Sequence, residues 1–325
     1  MKVLVIRFSS IGDIVLTSPV VRCIKQQLPD AEVHYLTKKA FLPIAQAIGN
    51  TDKIYAIDTD ISQVIDDLKK EQYDFIVDLH HNLRSMKVKS ALKKKSAAFP
   101  KLNIEKWLLV NLKVNKLPSV HIVDRYFETV KSLGVTNNEQ GLEYHIPASE
   151  EIDVRAQNFE PLLKNGYIGF VVGANHYTKQ LPAHKIISIC KKIDAPIVLL
   201  GGKGDEAKAI QIEQAVGKNI YNACGKYSIN GSASLVRQAK KIITHDTGLM
   251  HIAAAFKKDI ISVWGNTVPE FGMYPYKPGI NSHIIEVKGL SCRPCSKIGY
   301  KACPKKHFRC MEQIDENAII KYLQG

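Results

Sequence analysis

Lys2-Val3-Leu4-Val5-Ile6-Arg7-Phe8, followed at once by Ser9-Ser10-Ile11-Gly12-Asp13, is the stretch from which the fold can be read. A short β-branched run reads as a buried strand and the Ser/Gly/Asp cluster as a turn. The helical pattern from Ile14 to Leu28 then reads as a crossover. The unit repeats down the chain. Strand-like segments at 32–37, 53–58 and 75–79 are separated by helical ones at 40–48 and 61–70, with a further helix around 123–133. Such alternation predicts a parallel sheet with crossover helices. Between roughly Pro147 and Asn165 the pattern turns polar, and from Tyr167 the rhythm restarts and runs to Trp264. The expectation is two doubly wound α/β domains, 1–155 and 156–311, facing a central cleft. Apolar residues at 314, 318, 319, 322 and 323 make one helix face, so 312–325 is expected to dock back on the N-terminal domain.

The 325 residues, 45% hydrophobic and 23% charged, exclude disordered and fibrous classes. No apolar run approaches the roughly 18 residues of a membrane span. Lys2 and Arg7 bracket only four apolar residues, too few for a signal peptide, so an intracellular, soluble protein is expected. The formal charge of +14 is local. Arg84 to Lys116 holds ten bases and one acid, and Lys288 to Arg309 holds seven bases and none. Two such stretches point to anionic partners: nucleic acid, an acidic membrane face or a phosphorylated glycolipid. A solvated lysine-rich face is the bland alternative for the first.

Ligands of open α/β sheets bind beyond the carboxyl ends of strands, and three such ends carry chemistry. At the first, Gly12 permits close backbone approach and Asp13 can take a proton from a substrate hydroxyl. Ser10 and Asp13 are equally spaced as a capping box, the reading that spacing alone favours. The second is Gly173-Ala174-Asn175-His176-Tyr177-Thr178-Lys179, which delivers a lysine beside a helix start, suited to a diphosphate, although a polar loop with a surface lysine is the reading the residues alone favour. The third is His245-Asp246-Thr247-Gly248-Leu249-Met250-His251. There the Thr247 and Gly248 amides can face an anion and a carboxylate can hold ribose hydroxyls, with His251 one turn along; a capping Asp246 and a core-facing His251 are the alternatives. No GxGxxG or Walker lysine motif occurs, against NAD enzymes and P-loop ATPases.

At these three motifs the chain resembles the ADP-heptose:lipopolysaccharide heptosyltransferase family. MKVLVIRFSSIGDIVLTSPVV is similar to that family's opening, and HDTGLMHIAAA to its nucleotide-site signature. DLHHNLRS (Asp78 to Ser85) and HIVDRY (His121 to Tyr126) resemble segments on its acceptor side. The resemblance implies a GT-B architecture of two Rossmann-like domains, acceptor bound by the first and nucleotide sugar by the second. It implies inverting, metal-independent transfer of heptose from ADP-heptose to an inner-core lipopolysaccharide acceptor, at the cytoplasmic face of the inner membrane. By position, Asp13 becomes the general base and Lys179 the cation that meets the leaving diphosphate. Ala174, Asn175, Glu206, Asp246, Thr247, Gly248, Leu249 and His251 become donor-binding, with Glu206 reaching the ribose. Ser10, Gly12, Arg84 and Arg125 become acceptor-binding. Ala174 and Asn175 stand where the family often has hydroxyl residues. No cofactor is required, and the segment from Lys87 to Lys116 around Trp107 is expected to lean on anionic lipid.

Cys292-x2-Cys295-x7-Cys303-x6-Cys310 places four thiols within 19 residues. That spacing permits a structural zinc site, though only one pair has close chelate spacing; free or redox-labile thiols are the alternative. Cys23, Cys190 and Cys224 read as small buried hydrophobes. Two rivals remain: a GT-B transferase or epimerase using another nucleotide sugar, and a basic nucleic-acid-binding module. The second leaves Asp13, Glu206 and Asp246 unexplained, because carboxylates repel a phosphate backbone.

Overall fold

The computed structural model describes residues 1–154, 166–217 and 219–324. The chain divides into two compact units, 1–101 with 120–145, and 102–119 with 146–325. The first holds strands β1 (Lys2–Ile6), β2 (Glu32–Lys38), β3 (Lys53–Ile57), β4 (Phe75–Asp78) and β5 (Lys95–Ala98). Helices α1 (Ile11–Val15), α2 (Ser18–Gln27), α3 (Leu42–Ala47), α4 (Ser62–Lys70), α5 (Leu83–Leu92) and, past the 102–119 segment, α7 (Ile122–Phe127) belong with them. The order is β3-β2-β1-β4-β5, every pair parallel. β1 is central, and Val3 to Ile6 are fully buried, as a strand covered on both faces demands.

The second unit begins with α6 (Asn103–Trp107), continued by a π-helical turn, Leu108–Leu112. Its strands are β6 (Ile168–Val171), β7 (Ile197–Leu200), β8 (Ile220–Asn222), β9 (Lys241–His245), β10 (Asp259–Trp264) and β11 (His283–Glu286). Between and after them run α8 (Ala183–Lys191), α9 (Glu206–Val216), α10 (Ile229–Gln238), α11 (Gly248–Ala255), α12 (Arg309–Glu312) and α13 (Glu316–Gln324). The order β8-β7-β6-β9-β10-β11, again all parallel, is that of a dinucleotide-binding fold. In each sheet the strand order reverses beside the first strand, between β1 and β4 and between β6 and β9. A crevice opens at such a point because the flanking crossovers leave in opposite directions.

Two expectations about domain limits change, and a third falls outside the described residues. The boundary expected at 155/156 lies outside the described residues, but the second unit is already engaged before it. Glu150 accepts from Asn230 at 2.7 Å and Glu151 accepts from Ser234 at 2.7 Å. Residues 102–119, expected in the N-terminal domain, pack with the second unit. Leu109 is buried against Val268 and Phe271, a contact between distant segments that chain order cannot reveal. The C-terminal helix α13 docks on α8 and β11 of the second unit, not on the first. Its Glu316 binds Lys185 and Lys192, both at 2.9 Å, and Ile319 enters that core. The apolar spacing specified a face, and the charge complement on α8 chose the partner. No helix among the described residues is long and apolar enough to cross a membrane.

Candidate functional site

In the first unit, β1 ends in a buried arginine that sequence reasoning passed over. Arg7 is 8% exposed, and its guanidinium meets Asp13 Oδ1 at 2.5 Å. It also donates to Ser9 O at 2.8 Å, to Tyr126 Oη at 3.1 Å and to the Leu79 carbonyl. Burial would pull the Arg7 pKa down, but the adjacent carboxylate outweighs it and raises the value, so the cation persists. Asp13 Oδ2 accepts from the Ser10 amide at 3.1 Å and the Ser10 hydroxyl at 2.7 Å. The capping geometry and a charge-oriented carboxylate are therefore the same residue in the same pose, and Asp13 remains 22% exposed.

The neighbouring strand end is built the same way. Asp78 closes β4 fully buried, accepting from the amides of His80 (3.1 Å) and His81 (2.6 Å), from Ser85 Oγ (2.8 Å) and from Lys89 (3.0 Å). It shapes the turn into α5, whose Asn82 cap accepts from the Ser85 amide at 3.0 Å. Arg84 follows, its guanidinium 5.4 Å over the Phe8 ring. His80 packs edge-on to Phe8 at 5.2 Å, and burial holds it down at about 4, neutral at physiological pH. Arg125 is 5% exposed on α7, next to the Tyr126 that Arg7 reaches, and burial lowers its pKa. Gly12 is buried beneath the turn.

In the second unit, the loop after β6 and the turn after β9 meet at the switch point. Lys179 Nζ donates to Asp246 Oδ2 at 2.6 Å, and Thr267 Oγ1 donates to the same oxygen at 2.9 Å. Thr247 caps α11, accepting from the Met250 amide at 3.4 Å, so the helix begins at Gly248 with an ammonium group close by. His245 is fully buried, and desolvation lowers it to about 3. The neutral ring therefore accepts the Leu181 amide at 2.9 Å. His251 is 2% exposed and Leu249 9% exposed on the same helix.

Lys208 of α9 closes the Lys179 loop at both ends. It donates to Val172 O (2.9 Å), Leu181 O (2.7 Å) and Gln180 Oε1 (3.2 Å), while Gln180 reaches back to Ala174 O at 2.6 Å. Burial pulls Lys208 down to about 8, against the charge of Asp205 and the nearby Cys224. Asp205 and Glu206 occupy space that only glycine leaves. A Cβ at Gly173 would stand 2.0 Å from Asp205 Oδ2, and one at Gly225 2.0 Å from Glu206 Oε1. Glu206 and Asn175 are both exposed, and Asn175 Nδ2 lies 3.4 Å from His176 Nε2. Thus Ser10, Gly12 and Asp13 gather with Arg7 in one unit, and Lys179, Asp246 and Thr247 with Lys208 and Thr267 in the other. Arg7, Asp205, Lys208 and Thr267 carried no motif; the signal for Arg7 was a charge at the end of a buried strand.

A family model for glycosyltransferase family 9 (heptosyltransferase) matches residues 61–305. Lipopolysaccharide heptosyltransferase 1 of Campylobacter coli is 24% identical, covering 100% of this chain and 98% of that one. Among solved structures, a glycosyl transferase family 9 protein of Veillonella parvula superposes with a TM-score of 0.75 at 19% identity, covering 99% and 96%. An E. coli heptosyltransferase in complex with ADP gives 0.68 at 21% identity, covering 100% and 97%. These structures share the GT-B arrangement of two parallel-sheet α/β domains.

Proposed function

The chain belongs to glycosyltransferase family 9, the heptosyltransferases, and from that premise we propose that it transfers heptose from ADP-heptose to an inner-core lipopolysaccharide acceptor, with inversion. The observation that carries the donor side is the Lys179–Asp246 pair at 2.6 Å, held where α11 begins. A helix start and an ammonium group together suit a diphosphate. In the proposed step the acceptor hydroxyl attacks the anomeric carbon and gives its proton to Asp13. The bond from that carbon to the diphosphate oxygen breaks, and ADP leaves with the electron pair. Lys179 and the Thr247 and Gly248 amides meet the charge that develops on it, so the step uses no metal. Arg7 and Ser10 aim the Asp13 carboxylate, Glu206 takes the ribose, and Arg84 and Arg125 take acidic groups of the acceptor.

A lipid-linked acceptor calls for a membrane-facing surface, and α6 supplies one. Leu109 anchors the segment inward, while Ile104, Trp107 and Leu112 are 73%, 56% and 57% exposed beside Lys106, Lys113 and Lys116. Apolar side chains ringed by lysine suit the anionic inner face of the inner membrane.

Calorimetry with ADP, UDP, GDP and CMP, paired with a transfer assay, tests the reading. Asp13→Asn should leave ADP affinity unchanged and cut turnover by about 10²–10⁴. Lys179→Ala should weaken ADP by roughly 10–100-fold, the worth of a charge-assisted contact. Full turnover in Asp13→Asn refutes the base, and a preference for UDP or GDP replaces the donor.

A further inference from the structure

The segment between β11 and α12 contains no helix or strand, yet it is pinned at many points to the loops that hold Lys179 and Asp246. Arg293 donates to Gly265 O (2.6 Å) and Thr267 O (2.9 Å), and pairs with Glu286 at 2.6 Å. The Cys295 amide reaches Asn266 O at 3.3 Å. Thr178, next to the donor lysine, accepts the Tyr300 amide at 2.8 Å and gives its own amide to Tyr300 O at 3.2 Å. Tyr177 stacks on Phe308 with ring centroids 5.1 Å apart. Whatever sets the shape of this segment therefore sets the position of the Lys179 turn.

The same segment carries Cys292, Cys295 and Cys303, Cys310 follows in α12, and none of the four is in a disulfide. Cys310 is buried in the core of the second unit, and Cys303 packs against that same core. His307 Nδ1 accepts the Arg309 amide at 3.1 Å, which leaves the ring proton on Nε2, and Nε2 stands 3.8 Å from Cys292 Sγ. An N–H directed at a sulphur is the arrangement that orients a metal-bound thiolate. Lys113 Nζ, 2.6 Å from the Pro294 carbonyl, and the Arg293 guanidinium bring positive charge to the same place.

We propose that Cys292, Cys295, Cys303 and Cys310 bind one thiophilic divalent cation, zinc by preference, and that this ion fastens the segment against the Lys179 turn. Four thiols give up four protons to solvent and become four thiolates on one ion of charge +2. The site then carries −2, which Lys113 and the seven bases from Lys288 to Arg309, Arg293 among them, offset. No three of the four sulphurs lie within 4.8 Å of one another, whereas a tetrahedral thiolate site with bonds of about 2.3 Å draws them closer. Binding therefore requires Cys292, Cys295 and Cys303, on a segment without regular structure, to draw up to Cys310 on α12. The described residues hold one preformed trio of ligand atoms, Glu32, His34 and Glu71, and its carboxylates are already bound to Lys2 and Lys53.

The test is metal analysis of the full chain, purified without chelator or polyhistidine tag. About one zinc or iron per chain is expected, lost in Cys303→Ser and in Cys310→Ser but kept in Cys23→Ser. The cobalt-loaded protein should show sulphur-to-metal charge-transfer absorption, and native alkylation should spare the part-exposed Cys292, Cys295 and Cys303 until the metal is withdrawn. Metal-free protein as purified that also takes up no cobalt, with Cys292, Cys295 and Cys303 alkylated or a mass deficit marking a disulfide, overturns the site. These readouts need no substrate, so they fail or succeed independently of the transferase reading. The fastening role rests on that reading: ADP should bind about tenfold more weakly to metal-stripped protein, as for a loop competent one-tenth of the time. Equal affinity with and without metal overturns the fastening.

Discussion

Replacing Lys208 with Met separates the cost of burying a charge from the geometry that the charge maintains. A fall of the Lys208 pKa from 10.5 to about 8 means that keeping its ammonium buried costs roughly 3 kcal/mol below pH 8. Against this stand donations to Val172 O, Leu181 O and Gln180 Oε1 at 2.9, 2.7 and 3.2 Å, each a charge-assisted contact of roughly 1.5–3 kcal/mol. Methionine keeps the apolar stem and removes the buried charge together with the donor of all three contacts. The contacts outweigh the burial cost and methionine leaves their acceptors without a donor, so the variant should lose roughly 1.5–6 kcal/mol of stability at pH 7. The loop, however, loses the donor shared by its two ends, and ADP affinity should fall about tenfold. The pH dependence supplies a signature. The folded value lies below the unfolded one, so between about pH 8 and 10.5 the unfolded chain holds a proton that the folded chain lacks. Wild-type stability then gains on the variant as pH rises through that window. Urea unfolding at pH 7.5, 9 and 10, with ADP calorimetry at pH 7.5, measures both effects. Parallel pH profiles, or an unchanged ADP affinity, would refute the reasoning.

Three further outcomes follow from particular contacts. At Glu316, burial alone would raise the pKa, but donors from Ser188, Lys192 and Lys185 win and hold it at about 2. That stabilisation is present above about pH 4.5 and is lost as pH falls toward 2. Glu316→Gln should therefore cost about 2 kcal/mol at neutral pH, after allowance for screening, and flatten the acid limb of the stability profile. Gly225→Ala sets a methyl group against Glu206 at a backbone φ of +72°, and should weaken ADP binding as much as Glu206→Ala does. A larger loss in Glu206→Ala alone would mean that the carboxylate tolerates the methyl group. Trp107→Glu should reduce co-sedimentation with anionic vesicles at least about tenfold while leaving soluble ADP binding intact; unchanged co-sedimentation would place the lipid-facing surface elsewhere.

Much of the fold was legible because a parallel sheet covered on both faces writes itself as short apolar runs. Val3 to Ile6, Phe75 to Val77 and Ile197 to Leu200 are all buried strands. What periodicity does not encode is which distant surface an apolar face meets. Leu109 and Ile319 were visible as apolar residues, yet both partners differ from those expected. The site shows the same division. Ser10 and Asp13 were identifiable, and the choice between cap and base dissolves because one carboxylate serves the cap and meets Arg7. Lys208 reads in sequence as an ordinary helix lysine. Only the convergence of three acceptors on its amine makes it a support for the donor loop.

The assignment of residues 102–119 to the second unit has a consequence for how this enzyme comes off the ribosome. The first unit is completed only by residues 120–145, and the second needs a segment that has already emerged before most of its own strands exist. During synthesis Leu109 has only its chain neighbours Val110 and Leu117 to pack on until Val268 and Phe271 are made. An apolar, lysine-flanked stretch thus waits through more than a hundred residues of translation, roughly ten to thirty seconds at ordinary rates. A clean division of the chain near residue 146 would strand that stretch in the wrong half. Expression of the halves as separate polypeptides should therefore give an aggregation-prone first fragment and a second fragment that is incomplete beside Phe271.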